Sequence, residues 1–184
     1  MQEIITPRLS LRLMTEDFLK ACLREDKPKT DALIGFNVSA DWFEEKDLIR
    51  LRMKDYRADN KYISWGLHAV GLRKSKEMIG FIGFHTRPNP EYLHPLAPNA
   101  IELGYTIFLP FRRHGFCEEA IGGLLNWAVA RHPLDNFIAS VSPTNIASTA
   151  LVKKIGFKKI GEQIDEVDGL EFVYQLPVEK LKSI

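Results

Sequence analysis

Hydrophobic positions early in the chain predict a strand followed by helices. Leucine occupies every second position over residues 9–13, which is the period of a half-buried strand. Thr15 follows as a helix N-cap with two acidic residues in the first turn, and this helix is predicted to end near Leu23. The stretch 24–37 has no clear period, and Ser39 is predicted to cap a further amphipathic helix.

Two segments rich in aromatic and branched side chains predict a β-hairpin in the middle of the chain. They are 62–70 (YISWGLHAV) and 77–85 (EMIGFIGFH), and the polar run RKSKE between them is predicted to be the turn. Residues 86–99 contain four prolines and are predicted to be a loop. A third strand is predicted over 100–109, because Pro110 ends its pattern.

The hydrophobic period becomes helical from about Gly115. Apolar side chains recur at i, i+4, i+7 and i+11 from Cys117, which predicts a helix with one buried stripe. Further along, Gly156 suits the left-handed position that follows a helix. The remaining predicted elements are a strand over 136–141, a helix capped by Thr144 or Asn145 that runs to Lys154, and strands over 157–163 and 171–176.

The order of these elements predicts an α+β, or mixed α/β, fold around one central sheet. The 184 residues fit a single domain over 1–184. Apolar residues make up 45% of the chain and charged residues 27%. Both fractions are ordinary for a folded protein, so they exclude wholesale disorder.

Charge and cysteine content narrow the classes of partner. The 25 basic and 24 acidic residues leave a net charge of +1, which gives no overall field for nucleic acid or an acidic membrane. Cys22 and Cys117 form no CxxC pair, so we expect neither a disulfide framework nor a zinc finger, and we predict no metal. The chain lacks an apolar run of about 18 residues and the core of a signal peptide, so we expect a cytoplasmic protein.

The segment 100–125 predicts a strand, a short turn and the start of a helix. The first N–H groups of a helix have no internal partner and carry partial positive charge, so they attract phosphate. Gly115 allows close approach to the main chain, and Arg112 and Arg113 add two full charges. Two interpretations carry equal weight on these residues alone: a phosphate or pyrophosphate site, and a merely basic surface turn. The glycine patterns of P-loop and Rossmann sites are absent.

Two adjacent glycines, Gly122 and Gly123, lie inside the predicted helix. Each glycine costs about 1 kcal/mol relative to alanine in a helix interior. We interpret them as a point of close packing between the helix and the sheet, in preference to a contact with a ligand.

Several motifs resemble those of the GCN5-related N-acetyltransferase (GNAT) family, in its RimJ/RimL-type branch of ribosomal-protein N-terminal acetyltransferases. The run RRHGFC is similar to the family's acetyl-CoA loop Q/R-x-x-G-x-G/A, with Arg112 and Gly115 at the fixed positions and Cys117 where a smaller residue is usual. The segments ITPRLSLR, WGLHAV, MIGFIGF, IELGYTI and NIASTALVKKIGFKKIGE resemble further motifs in the expected order. The likeness covers nearly all of the chain.

This resemblance implies a GNAT-like fold, with one central, mostly antiparallel sheet of about seven strands flanked by helices. It implies an N-acetyltransferase that moves the acetyl group of acetyl-CoA to a primary amine by direct attack in a ternary complex. The implied acceptor is a protein N-terminus or a small-molecule amine, and a homodimer is left open. The alternative is a non-catalytic acyl-CoA sensor on the same fold.

The resemblance also implies roles for individual residues. Glu102 is the implied base, acting directly or through water; it shares a strand face with Gly104, beside which we expect open space. His85 is a rival base, and Ser148 is implied to bind the cofactor or to protonate the leaving thiolate. The implied cofactor-binding residues are Ile107, Phe108, Leu109, Arg112, Arg113, His114, Gly115, Phe116, Cys117, Asn145 and Ser148.

Four of these residues also have a plain structural explanation. Glu102 can pair with a cation or point to solvent. Asn145 is a favoured N-cap, and Ser148 is unremarkable in a first turn. Cys117 falls on the buried helical stripe, and direct transfer forms no covalent intermediate, so we do not expect it to act as a nucleophile.

Overall fold

The computed structural model describes residues 3–165 and 169–181 and has a mixed α/β fold. Eight strands lie in this part of the chain. They are β1 (Glu3–Ile5), β2 (Leu9–Leu13), β3 (His68–Leu72), β4 (Met78–Phe84), β5 (Ala100–Ile107), β6 (Asn136–Val141), β7 (Lys158–Asp165) and β8 (Gly169–Pro177).

Six α-helices separate the strands in the same described part of the chain. No helix among these residues is both long enough and apolar enough to cross a membrane. The helices are α1 (Glu16–Leu23), α2 (Lys27–Ile34), α3 (Ala40–Phe43), α4 (Lys46–Ala58), α5 (Phe116–Val129) and α6 (Ile146–Ile155).

The strands form one mixed sheet in the order β1-β2-β3-β4-β5-β6-β8-β7. The pairs β1–β2, β2–β3, β3–β4, β6–β8 and β7–β8 are antiparallel, and β5–β6 is parallel. A parallel neighbour is reached through a long crossover, and α5 lies in that crossover. The predicted fold class is therefore confirmed, with the three-residue β1 as the strand that the sequence pattern missed.

The parallel pairing of β5 with β6 is short. It covers three residue pairs, from Ala100 with Asn136 to Glu102 with Ile138. In contrast, β6 pairs with β8 along its whole length, up to Val141. Within the described residues, the ladder between β5 and β6 therefore stops at Glu102.

The chain divides into two compact units. The first comprises Met1–Gly83 with Tyr105–Leu124, and its core is aromatic: Trp42 stacks on Phe18 at 6.3 Å and meets Phe81 edge-on at 5.2 Å between ring centroids. The second comprises Phe84–Gly104 with Leu125–Ile184. Its core contains a stack of Phe84 on Phe137 and a cluster formed by Leu93, Ala97, Ala100, Ile138 and Val173. One domain over residues 1–184 stays a prediction.

The predicted strand over 62–70 is wrong in its first half. Asn60–Trp65 is a 3-10 turn, and the strand begins only at His68. The side chain of Asp59 accepts a hydrogen bond from the N–H of Lys61 and so starts the turn. Tyr62 is then buried edge-on against a tyrosine ring of α4 instead of lying in the sheet. Local capping and burial therefore override β propensity here.

One further helix lies where no element was predicted, and two other segments differ from the prediction. Residues 24–37 contain α2, whose N-cap Asp26 and left-handed Gly35 both follow ordinary capping rules. The helix predicted after Ser39 is two helices, because the chain turns between α3 and α4. The strand predicted over 100–109 ends at Ile107, and residues 109–111 form a 3-10 turn.

The predicted helix caps are confirmed. Thr15 caps α1 through a hydrogen bond to the N–H of Phe18, and α1 ends at Leu23 as expected. Asn145 caps α6, and Gly156 ends that helix with φ 114°. These signals are local, so the sequence alone carries them.

Candidate active site

The turn between β5 and α5 lies in the first unit and presents main-chain donors. A 3-10 turn, Leu109–Phe111, follows β5, and α5 begins at Phe116. The N–H of Arg112 donates to the carbonyl of Leu109 at 3.3 Å. Within the described residues, the N–H groups of 113–117 donate to no carbonyl or side chain. The donors predicted at this helix start are therefore available to a ligand.

Two residues of this turn lie in the left-handed region of backbone space. Arg113 has φ 67° and Gly115 has φ 76°. Glycine adopts this conformation freely, whereas arginine does not, so the surroundings must hold the turn in place. A Cβ atom on Gly115 would also lie 3.4 Å from Nη2 of Arg8.

Arg8 holds this turn, although no pattern in the sequence points to it as a site residue. Its Nη1 donates to the carbonyl of His114 at 2.9 Å, and its guanidinium carbon lies 4.6 Å from the ring centroid of Phe116. Its Nε pairs with Oε2 of Glu119 at 2.6 Å. Arg8 lies in the ITPRLSLR motif, which was the only signal for it, and the motif alone gives it no role.

Glu119 anchors Arg8 in this arrangement. Its Oε1 accepts hydrogen bonds from the hydroxyl of Thr6 at 2.6 Å and from the N–H of Arg8 at 2.7 Å. Burial pushes the pKa of Glu119 upward, but the hydrogen bonds from Thr6 and Arg8 outweigh it and hold the pKa below its ordinary value. The carboxylate therefore stays charged and keeps Arg8 in place.

The exposed side chains of the turn also contact its own backbone. Nε of Arg112 donates to the carbonyl of Ile107 at 2.7 Å. The ring of His114 stacks on Phe116 at 5.7 Å, and its Nδ1 lies 3.3 Å from the carbonyl of Phe111. These contacts shape the turn, and a contact of Arg112, Arg113 or His114 with a cofactor stays a prediction.

The main chain at 107–109 is partly engaged inside the protein, and a contact of these three residues with a cofactor stays a prediction. The N–H of Phe108 donates to the carbonyl of Ile79 at 2.9 Å, so it is not available to a cofactor. The carbonyl of Ile107 accepts the side chain of Arg112, and that of Leu109 accepts the N–H of Arg112. Strand β5 ends at Ile107, and the 3-10 turn Leu109–Phe111 follows it.

The start of α5 confirms two structural interpretations. Burial raises the pKa of the Cys117 thiol to about 12, so this thiol stays protonated and is a poor nucleophile. A Cβ atom on Gly123 would lie 2.6 Å from Cγ2 of Thr6, so this glycine provides close packing. The rest of the predicted stripe, Ile121, Leu124 and Ala128, is fully buried.

Glu102 lies in the second unit with a side chain that is only 5% exposed. The hydroxyl of Tyr92 donates to its Oε2 at 2.9 Å, and the hydroxyl of Ser140 donates to its Oε1. The alternative in which Glu102 points to solvent is therefore wrong. A buried carboxylate with two hydroxyl donors is a built polar site.

A short network continues behind Glu102. Nε2 of Gln163 donates to the hydroxyl oxygen of Ser140 and to Oε2 of Glu171, both at 3.1 Å. Burial pushes the pKa of Glu102 upward, but the neighbouring imidazole of His85 and the two hydroxyl groups outweigh it, so the pKa lies below its ordinary value. Glu102 is therefore a carboxylate at neutral pH.

The open space expected beside Gly104 is filled, and that expectation is wrong. A Cβ atom on Gly104 would lie 2.6 Å from Nε2 of His85. The other ring nitrogen of His85, Nδ1, lies 3.6 Å from Oε2 of Glu102. The sequence presents His85 and Glu102 as rival bases, whereas the structure places them side by side.

Asn145 and Ser148 lie at the start of α6, also in the second unit. Oδ1 of Asn145 accepts the N–H of Ser148 at 3.0 Å, so the N-cap explanation is confirmed. The role of Ser148 toward a cofactor or thiolate stays a prediction, as does that of Asn145 toward the cofactor.

Comparison with known proteins identifies the family. Residues 8–158 match the model of the acetyltransferase (GNAT) domain. The uncharacterized N-acetyltransferase YjdG of Bacillus subtilis strain 168 is 26% identical over 157 residues, which cover 83% of this chain and 87% of that protein.

Solved structures share the fold over nearly the whole chain. RimL, the ribosomal L7/L12 alpha-N-protein acetyltransferase in complex with coenzyme A, superposes with a TM-score of 0.64 at 17% identity and covers 97% of this chain and 99% of its own. The ribosomal-protein-S5-alanine acetyltransferase of Vibrio fischeri gives a TM-score of 0.63 at 15% identity, over 99% and 100%. The chain therefore belongs to the GNAT acetyltransferase family, as its motifs predict, and is an N-acetyltransferase.

Proposed function

We propose that the protein transfers the acetyl group of acetyl-CoA to a primary amine by direct attack in a ternary complex. The observation that carries the proposal is the turn before α5, whose N–H groups at 113–117 have no partner among the described residues. Main-chain donors at a helix start, with Arg112 and Arg113 beside them, suit the pyrophosphate of CoA. RimL, with the same fold, was solved with coenzyme A, which supports this ligand.

The strand that leads into this turn suits the acyl arm of the cofactor. The ladder between β5 and β6 stops at Glu102, although β6 itself continues to Val141. Main-chain N–H and C=O groups that do not pair with a neighbouring strand need other hydrogen-bond partners, and the amides of a pantetheine arm can supply them. We therefore propose that the arm follows β5.

The polar cluster around Glu102 suits the proton transfer that the reaction needs. An amine is an ammonium ion at neutral pH and attacks a thioester only after it has lost a proton. Glu102 is buried and charged, so it attracts an ammonium ion and supports a base. Ser148 is the proposed donor of a proton to the departing thiolate.

The acceptor is a primary amine, and we favour a protein N-terminus. RimL and the Vibrio fischeri enzyme carry names that describe acetylation of ribosomal proteins, and both share the fold over nearly the whole chain. A small-molecule amine remains the competing acceptor class, which the assay below separates.

Isothermal titration with acetyl-CoA, followed by an assay of CoA release, tests this proposal. We expect saturable binding of one acetyl-CoA per chain and release of CoA with at least one amine in a panel of Ala- and Ser-terminated hexapeptides, spermidine and free amino acids. No heat of binding would contradict the proposal. Binding without release on the whole panel would instead support the acyl-CoA sensor.

Replacing Arg8 with alanine should weaken acetyl-CoA binding about tenfold, or about 1.4 kcal/mol. Arg8 holds the carbonyl of His114 and the ring of Phe116, so its loss lets the turn explore conformations that the cofactor must then order. The dissociation constant from isothermal titration measures this effect.

The matched control for Arg8→Ala is Arg50→Ala. Arg50 forms an exposed ion pair with Asp47 on α4 at 2.8 Å, and such pairs contribute little to stability. Equal affinity in Arg8→Ala and the unsubstituted protein would show that Arg8 does not organise the turn.

A further inference from the structure

We infer that the imidazole of His85 accepts the proton that the acceptor amine loses, with Glu102 as its positioning residue. This inference rests on the proposed function and goes beyond it, because it replaces a carboxylate base with an imidazole that the carboxylate orients.

Glu102 itself is poorly placed to take a proton from a substrate. Its side chain is 5% exposed, and both oxygens already accept protein hydroxyl groups, Ser140 on Oε1 and Tyr92 on Oε2. The hydroxyl oxygen of Ser140 accepts a hydrogen bond from Nε2 of Gln163, so the hydroxyl proton of Ser140 is directed to Glu102. An amine therefore has little access to either oxygen.

His85 has the access that Glu102 lacks. Its side chain is 40% exposed, and its Nδ1 lies 3.6 Å from Oε2 of Glu102. This is an ion-pair distance, so the carboxylate faces Nδ1 of the ring. The imidazole thus has one edge against the buried carboxylate and a substantial exposed surface.

Gly104 places the other edge of the ring over β5. A Cβ atom at this position would lie 2.6 Å from Nε2 of His85, closer than packed atoms approach. The ring therefore occupies the space that any side chain at 104 would take. Since the proposed acyl arm follows β5, Nε2 lies on the strand that would carry the thioester.

The carboxylate decides which ring nitrogen is basic. An ionised carboxylate can only accept hydrogen bonds, so the nitrogen that faces Glu102 must carry the proton. That nitrogen is Nδ1, which leaves the lone pair on Nε2. The same logic orients the imidazole in catalytic triads, where a carboxylate fixes the tautomer and stabilises the imidazolium.

The proposed step begins at Nε2 of His85. Nε2 takes one proton from the ammonium ion, and the free amine attacks the thioester carbonyl. The N–C bond forms and the C–S bond breaks, so the electron pair of that bond leaves with the CoA thiolate. The amide nitrogen loses its second proton to the thiolate, by way of the proposed donor or water, and the imidazolium of His85 returns its proton to solvent.

Hydrogen bonds among the described residues connect two further titratable groups to the His85–Glu102 pair. They are Tyr92, on the 3-10 turn Glu91–Leu93, which contacts Glu102 directly, and Glu171, on β8, which is connected to Glu102 through Gln163 and Ser140.

Nitrogen-15 NMR of the whole protein tests the arrangement without an acceptor. We expect the neutral His85 ring to carry its proton on Nδ1, and to lose that tautomer preference in Glu102→Gln, because the neighbouring anion is lost. A proton on Nε2, or the same tautomer preference in Glu102→Gln, would overturn the inference. This result does not depend on acetyl-CoA binding, so it is separate from the test of the proposed function.

Kinetics on the best amine of the panel test the chemical role. We expect His85→Gln to lower kcat at least about 100-fold and to lose the part of the pH–rate profile in which an imidazole changes charge, with unchanged affinity for acetyl-CoA. The control is His94→Gln, an exposed histidine of the same segment, which should keep the full rate. A full rate in His85→Gln, with Glu102→Gln impaired, would show that Glu102 acts directly.

Gly104→Ala provides an independent variant, because its methyl group displaces the ring without removing it. We expect a loss of kcat in the unsubstituted background and little further loss in His85→Ala, which no longer has the ring. Equal losses in both backgrounds would contradict the role of Gly104 as the space for His85.

Discussion

Replacing Glu102 with glutamine is expected to lower kcat for acetyl transfer about 1,000-fold while acetyl-CoA affinity stays within about twofold. Glutamine has nearly the same shape, but it is neutral and places an amide N–H₂ where a carboxylate oxygen stood. It therefore neither attracts the ammonium ion nor holds the proton on Nδ1 of His85.

The measurement is steady-state CoA release with a saturating amine, beside isothermal titration with acetyl-CoA. The hydroxyl groups of Ser140 and Tyr92 lose a charged acceptor, so the free energy of unfolding should also fall by roughly 1–3 kcal/mol. Circular dichroism at the assay temperature must show that the variant is folded. Rates are compared only under those conditions.

The matched control is Glu162→Gln on β7. Glu162 is an exposed carboxylate that pairs with Lys159 at 2.7 Å, and an exposed pair of this kind contributes little. We expect an unchanged rate and stability in this variant. If Glu102→Gln released CoA as fast as the control, Glu102 would have neither a catalytic nor a positioning role.

Acidification should destabilise the fold through His68, by up to about 3 kcal/mol between pH 6.5 and pH 4. This histidine on β3 is fully buried, and its Nδ1 lies 3.0 Å from the carbonyl of Gly66. Burial lowers the pKa of His68 from 6.5 to about 4, despite the opposing effect of that carbonyl.

The direction of this pH effect follows from the two states of the chain. Below pH 6.5 the unfolded chain binds a proton at His68, whereas the folded protein stays neutral there until the pH approaches 4. The unfolded state therefore binds more protons in this window, and stability falls as pH falls. Above pH 6.5 the full contribution of His68 to the free energy of unfolding is present.

Urea unfolding at several pH values from 7 to 4 measures the effect, with His68→Asn as the test variant. Asparagine keeps an N–H donor for the carbonyl of Gly66 but does not titrate, so its stability should depend less on pH in this window. The control is His94→Asn, at an exposed position, which should keep the original dependence. Equal pH dependence in His68→Asn and the unsubstituted protein would contradict the prediction.

The parts of the fold that the sequence predicts correctly are those that depend on neighbouring residues in the chain. The caps Thr15 and Asn145 and the left-handed Gly156 are confirmed, because each depends on residues within about one turn. The prediction failed at 62–65, where branched and aromatic residues have high strand propensity. There the cap at Asp59 and the burial of Tyr62 decide the conformation.

The candidate site was predictable in part for the same reason. The donors at 113–117 follow from a helix start with Gly115, which neighbouring residues define. Arg8 was missed, because the turn that it holds lies more than a hundred residues away in the chain. No local pattern reports such a contact.

By itself, the sequence determined most element types, the family and the chemistry available at the turn, since these depend on side-chain type and short-range order. Only the tertiary structure decided that the ring of His85 lies between Gly104 and Glu102. It also decided that Glu102 is buried and accepts hydrogen bonds from two hydroxyl groups. Strand register sets those distances, because a shift of one residue would move every side chain to the opposite face of the sheet.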